Sequence, residues 1–170
     1  MHEANDHDWQ QGVDQVWGDE SLSDLARIAA IAELASRLPD TDPRGSFELG
    51  GAYDSAGFEA EAAAHYERAI GLGLAGNSRE QLDIQYASTL RNLGRTDEAI
   101  LLLQHAPADA ELADERRAFL ALALHSAGRA DEAVATAVEA LIPHLGKYQR
   151  SLTNYAAALQ PRLGSETPVE

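Results

Sequence analysis

The chain contains no cysteine, a single lysine (Lys147) and few aromatic or β-branched residues. Without cysteine there are no disulfides, no thiolate nucleophile and no cysteine-ligated zinc. Too few strand-favouring side chains are present to build sheets, and apolar–polar alternation is nowhere sustained. No apolar run reaches the roughly 18 residues of a membrane span. The start, Met1-His2-Glu3-Ala4-Asn5-Asp6, has neither the basic nor the apolar part of a signal peptide. A soluble, cytoplasmic protein is expected. Basic charge is also scarce: 13 Lys and Arg stand against 28 Asp and Glu, a formal charge of −15. Such a surface repels phosphate backbones and anionic lipids, so neither nucleic acid nor membrane is an expected partner.

What is abundant is alanine, the strongest helix former, and 170 residues can bury a core unaided. Residues 1–20 hold six acids and no Lys or Arg, and read as an acidic, partly ordered lead-in. Within it Trp9, Val13, Val16 and Trp17 fall on one face of a short helix. Ser21 or Ser23 caps a helix carrying Leu25, Ile28, Ile31, Leu34 and Leu38, stopped by Pro39. Thr41-Asp42-Pro43 starts another, running to about Ala56 before Gly57. Further helices are predicted over 59–72, from Ser78 (with Gln81 as capping-box partner) to about Leu93, over 97–105, from Asp109 to about Ala127, over 131–142 and over 147–160. Residues 21–160 thus form one helical domain, and 161–170 read as a disordered tail.

Three segments resemble one another. Leu93-Gly94-Arg95-Thr96-Asp97-Glu98-Ala99 matches Ala127-Gly128-Arg129-Ala130-Asp131-Glu132-Ala133, with a looser copy at Ala56-Gly57-Phe58-Glu59-Ala60-Glu61-Ala62. The turn glycines lie 37 and 34 residues apart. Small residues recur where paired helices must approach: Gly50, Ala87 and Ala121 on first helices, and Ala62, Ala99 and Ala133 on second helices. Ala69, Ala106 and Ala140 follow late on the second helices. Larger side chains fill between them, among them Leu49, Tyr53, Tyr86, Leu90, Leu120 and Leu124, with Tyr66 and Leu103 on second helices.

A period near 34 with two helices per unit resembles the tetratricopeptide repeat family. The first unit carries the family pattern most fully, with Leu49-Gly50-x-x-Tyr53, Gly57, Ala62, Tyr66 and Ala69 at its spacing. The family's first-helix tryptophan is replaced by Ser46, Asp83 and Arg117. The resemblance covers about residues 43–142. It implies an all-α, right-handed α-solenoid of about three helix-turn-helix repeats, with an extra N-terminal helix and a C-terminal capping helix. Residues 21–38 resemble the second helix of a degenerate leading unit. Tyr148, Leu152, Tyr155 and Leu159 mark the cap.

The same resemblance implies a protein-interaction function on the inner wall formed by the first helices. Carried over position by position, that wall holds Arg44, Phe47, Gly51, Asp54 and Ser55, then Gln81, Ile84, Ser88, Arg91 and Asn92, then Glu115, Ala118, Leu122, His125 and Ser126. This mixed surface suits an extended peptide or helix. Arg91 and Asn92 are the candidates for carboxylate or backbone contacts. The family's chaperone-binding clamp is not expected, because Phe47, Gly51, Ile84, Ser88, Ala118 and Leu122 occupy its places. Trp9 and Trp17 pack as core on the first helix, or dock the lead-in into its own groove or a second subunit's. The runner-up function is a self-assembling structural protein, and a homodimer is among the expected partners.

No catalytic chemistry is indicated. His2, His7, His65, His105, His125 and His144 form no zinc-binding pair with a neighbouring glutamate. His2, Asp6, His7 and Asp8 read as a solvated tail, and His125 with Asp54 or Glu115 as chance polar neighbours on a helical wall. No serine sits in a nucleophile elbow. Gly71-Leu72-Gly73-Leu74-Ala75-Gly76 follows a helix rather than a strand, and so reads as a helix stop rather than a phosphate cradle. Neither metal nor cofactor is expected.

Overall fold

The computed structural model describes residues 2–105 and 111–160, with side chains from His7 onward. Every regular element among them is helical. The chain divides into two compact units, one ending at Gly94 and one beginning at Arg95.

The first unit contains α1 (His2–Gly18), α2 (Asp24–Ala35), α3 (Pro43–Ser55), α4 (Glu59–Gly71) and α5 (Gly76–Asn92). α1 is longer than the Trp9–Trp17 stretch predicts, and it pairs with α2. Trp9 and Val13 are buried with Ile28, Ile31, Leu34 and Ala52 in one apolar cluster. The Trp9 indole Nε1 donates to the Leu34 carbonyl at 2.9 Å. That carbonyl, in the last turn of α2, thereby gains a second donor beside the Arg37 N–H. The Arg44 guanidinium lies 5.1 Å over the same indole.

Local chemistry sets the helix ends. Ser23 Oγ accepts the Ala26 N–H, and Asp42 Oδ1 accepts the Arg44 N–H with Pro43 in the first turn. α2 stops at Ala35, so Leu38 lies in a turn instead of in the helix. There the backbone tightens to i→i+3 bonds, Arg37 to Leu34 and Leu38 to Ala35, and Leu38 still packs on the cluster.

α3 and α4 cross closely because Gly50 has no side chain. A Cβ there would sit 2.5 Å from two ring carbons of Tyr66, which is fully buried. α4 closes on Gly73 (φ +86°), with the Leu74 N–H returning to the Ala69 carbonyl and Leu74 itself buried. The chain is then already aimed into α5, which starts at Gly76, two residues before the predicted Ser78. No side-chain cap forms there.

The second unit contains α6 (Thr96–Gln104), α7 (Ala113–Ser126), α8 (Ala130–Leu141), a 3-10 turn (Ile142–His144) and α9 (Gln149–Leu159). Asp109, Pro107 and Ala106, along with the 161–170 tail, lie outside the described residues. α7 packs on α8 around the buried Ala121, Ala133 and Ala135. Gly128 (φ +77°) makes the intervening turn, and the Arg129 N–H returns to the Leu124 carbonyl. Repetition in the sequence reappears as repeated geometry. Arg95 grips Glu98 at 2.7 Å at the start of α6, and Arg129 grips Glu132 at 2.6 Å at the start of α8.

α9 follows Tyr148, which adopts a left-handed backbone (φ 67°). Of the predicted cap stripe, Leu152 and Leu159 are half-buried while Tyr148 and Tyr155 are exposed. The buried helix position is Ala156, four residues after Leu152 and three before Leu159. That face excludes the tyrosines.

Candidate functional site

The first unit brings its three first-position helices together around a cleft of about 330 Å³. α1 contributes Gln10, Val13, Asp14 and Trp17; α3 contributes Phe47, Glu48 and Gly51; α5 contributes Gln81 and Gln85. Trp17 supplies most of its apolar surface, with Val13 and Phe47 buried at its floor, and two carboxylates and three amides supply its polar groups.

Trp17 is the hinge of this geometry. Its indole Nε1 donates to Glu48 Oε2 at 2.8 Å. Its ring edge rests where Gly51 lacks a side chain; a Cβ there would stand 3.3 Å from Trp17 Cζ2. The Arg27 guanidinium stacks 5.8 Å from the ring centroid. Trp17 keeps 36% of its surface exposed, whereas Trp9 keeps 6%. The two tryptophans therefore differ: Trp9 is core, and Trp17 is wall.

Electrostatics follow from burial. The Glu48 carboxyl is pushed above the ordinary glutamate range mainly by loss of solvent; the Trp17 N–H opposes this and the negative Asp14 adds to it. Behind the cleft, Tyr66 Oη donates to Gln85 Oε1 at 3.2 Å. Burial, then the charges of Asp54 and Glu48, push the Tyr66 phenol up, so it stays a neutral donor. A second polar node joins α3 to α5, where Thr89 Oγ1 donates to Asp54 Oδ1 at 2.7 Å. Asp54 too is raised, chiefly by burial, against the Thr89 bond and with the help of Glu59.

The residues assigned to the wall from the sequence separate by environment. Phe47, Gly51 and Gln81 line the cleft. Ile84 is buried and Ser88 half-buried. Arg44 is engaged with Asp42 at 2.6 Å as well as with Trp9. Arg91 Nη2 donates to Asn92 Oδ1 at 3.2 Å, and Asn92 is exposed. In the second unit Glu115, Leu122 and His125 are exposed along α7, at a spacing that puts them on one face. Gln10, Asp14, Trp17, Glu48 and Gln85 line the cleft from outside the wall positions that the family resemblance implies, Trp17 alone among them having been expected in the core or in a groove. Three of them lie on α1, and the Trp9–Val13–Val16–Trp17 spacing was the signal for it. As the first helix of a leading unit, α1 sets these positions beside those of α3 and α5. Among the described residues no group of three or more His, Asp or Glu side chains gathers to hold a metal. No described helix is long and apolar enough to cross a membrane.

Paired helices, glycine turns at a period near 34 and a wall of first helices define an all-helical repeat protein. A family model for the tetratrico peptide repeat matches residues 43–159, and the chain belongs to that family. No curated protein and no solved structure matches it. The family's repeat is in general a protein-interaction module and not a catalytic one.

Proposed function

We propose that the chain is an adaptor or scaffold that takes an extended peptide or helix of a partner protein on its first-helix wall. The observation that carries this reading is the cleft where α1, α3 and α5 meet. It offers the partly exposed Trp17 ring, backed by the buried Val13 and Phe47, beside the carboxylates and amides of Asp14, Glu48, Gln10, Gln81 and Gln85. A backbone or polar side chain entering there finds acceptors and donors without leaving apolar contact. Exposed Asn92 and half-buried Ser88 and Arg91 extend the contact along α5. Glu115, Leu122 and His125 offer a comparable strip on α7.

The test is capture from native lysate with three baits. The parent chain and a Glu61→Arg control, altered at an exposed position of α4, retain the same specific partner. A Gln10→Arg/Gln81→Arg bait, altered at two exposed wall positions, loses it. Equal retention by the wall variant overturns the assignment of the wall.

A further inference from the structure

Charge is unevenly placed along the chain. Residues 1–20 hold six acids and no Lys or Arg, whereas residues 140–160 hold Lys147 and Arg150 and no acid at all. The second stretch contains α9. Counting one 34-residue period on from α7 puts α9 where the first helix of a further unit falls. Within its own unit it packs on α8 and the 3-10 turn. Its outward half carries Arg150, Ser151, Asn154 and Tyr155, all exposed. Tyr155 is 70% exposed and Tyr148, just before the helix, 78%. Two solvent-facing tyrosines beside an arginine have the composition of an interface anchor rather than of a polar cap.

We propose that this face docks on the α1/α3/α5 wall of a second copy of the chain, with Tyr148, Arg150 and Tyr155 set beside Asp14, Trp17 and Glu48. The proposal rests on reading that wall as a docking surface, and it names one occupant for it. Charge decides the arrangement. Two α9 faces brought together oppose Lys147 and Arg150 to their own kind, and two walls brought together oppose carboxylate to carboxylate. Only the α9-to-wall contact pairs opposite signs between chains that each carry −15. Arg150 can also stack on the open part of the Trp17 ring. Such a contact joins two different surfaces, so copies either close into a ring or go on adding with concentration.

The experiment uses the full chain and light scattering across a concentration series. The parent is expected to rise beyond the monomer mass, and less so in high salt. A tail variant (Arg150→Glu/Tyr155→Glu) and a wall variant (Asp14→Lys/Gln81→Arg) each stay monomeric, with circular dichroism and thermal midpoint like the parent's. Mixed in equal amounts, they give a species of twice the monomer mass and nothing larger, because one retains its tail and the other its wall. A parent that is monomeric at every concentration overturns the proposal, as does a mixture that stays monomeric. A wall variant that still associates indicates α9-on-α9 pairing and overturns it too. If the parent is monomeric yet loses its lysate partner on wall substitution, only the self-docking falls and the adaptor reading stands.

Discussion

Gly50 and Gly51 are neighbours on α3, yet adding one methyl group to each should have opposite effects. Alanine in place of glycine inside a helix gains up to about 1 kcal/mol from backbone entropy. At Gly51 the new Cβ meets Trp17 at 3.3 Å, and that ring is partly exposed and able to shift. Gly51→Ala should therefore be neutral to slightly stabilising. At Gly50 the Cβ falls 2.5 Å from Cδ1 and Cε1 of Tyr66, roughly an ångström inside normal carbon–carbon contact. That ring is fully buried and tied to Gln85. Overpacking of this kind costs about 1–3 kcal/mol, which offsets the entropic gain and leaves Gly50→Ala destabilised by up to about 2 kcal/mol. Urea unfolding followed by tryptophan fluorescence measures it, since both tryptophans lie in the first unit. Comparing the midpoints requires an unchanged m-value. In a Tyr66→Leu background, where the ring is gone, Gly50→Ala should cost less than in the parent. A Gly50→Ala chain as stable as the Gly51→Ala chain would refute the close-approach argument for the α3/α4 crossing.

Trp9→Ala should cost about 3–5 kcal/mol, as expected for a buried aromatic, and Trp17→Ala less, about 2–3 kcal/mol, because a third of its surface is exposed; equal losses in urea midpoint would erase the distinction between core and wall. Glu48 and Asp54 both have raised pKa values, so the folded chain holds their protons more tightly than the unfolded chain does. Their contribution to stability is full below the ordinary carboxylate range and is lost as pH rises through the raised values. Glu48→Gln/Asp54→Asn should accordingly raise the urea midpoint at neutral pH, with the advantage over the parent shrinking as pH falls toward about 4; an advantage independent of pH would contradict this. Gly128→Ala meets no neighbouring atom within 4 Å, so its cost should be backbone strain alone, about 1–2 kcal/mol, read as a lowered thermal midpoint in circular dichroism.

The family and the helices were legible because their signals are local. The turn glycines at a period near 34, Asp42-Pro43 and the alanine stripes each act within a few residues of themselves. Start positions slipped where a tertiary contact decided them: burial of Leu74 moved the start of α5 ahead of Ser78, and Ala156 displaced the tyrosines from the buried side of α9. The cleft was only partly legible. Phe47 and Gln81 sit at family positions, but Trp17 reaches Glu48 across 31 residues of chain. No spacing rule encodes a meeting between two elements so far apart. Nor does a family pattern say that Arg44 is engaged by Asp42 and Trp9.

The matching clamps at Arg95–Glu98 and Arg129–Glu132 have a bearing on how the chain changes length. Each sits just after a turn glycine and just before a buried alanine, so the two joints are interchangeable in sequence and in shape. Splicing between them removes or duplicates 34 residues without creating a novel junction. Growth by whole cassettes is therefore the least disruptive edit open to this gene, and a partial cassette the most disruptive.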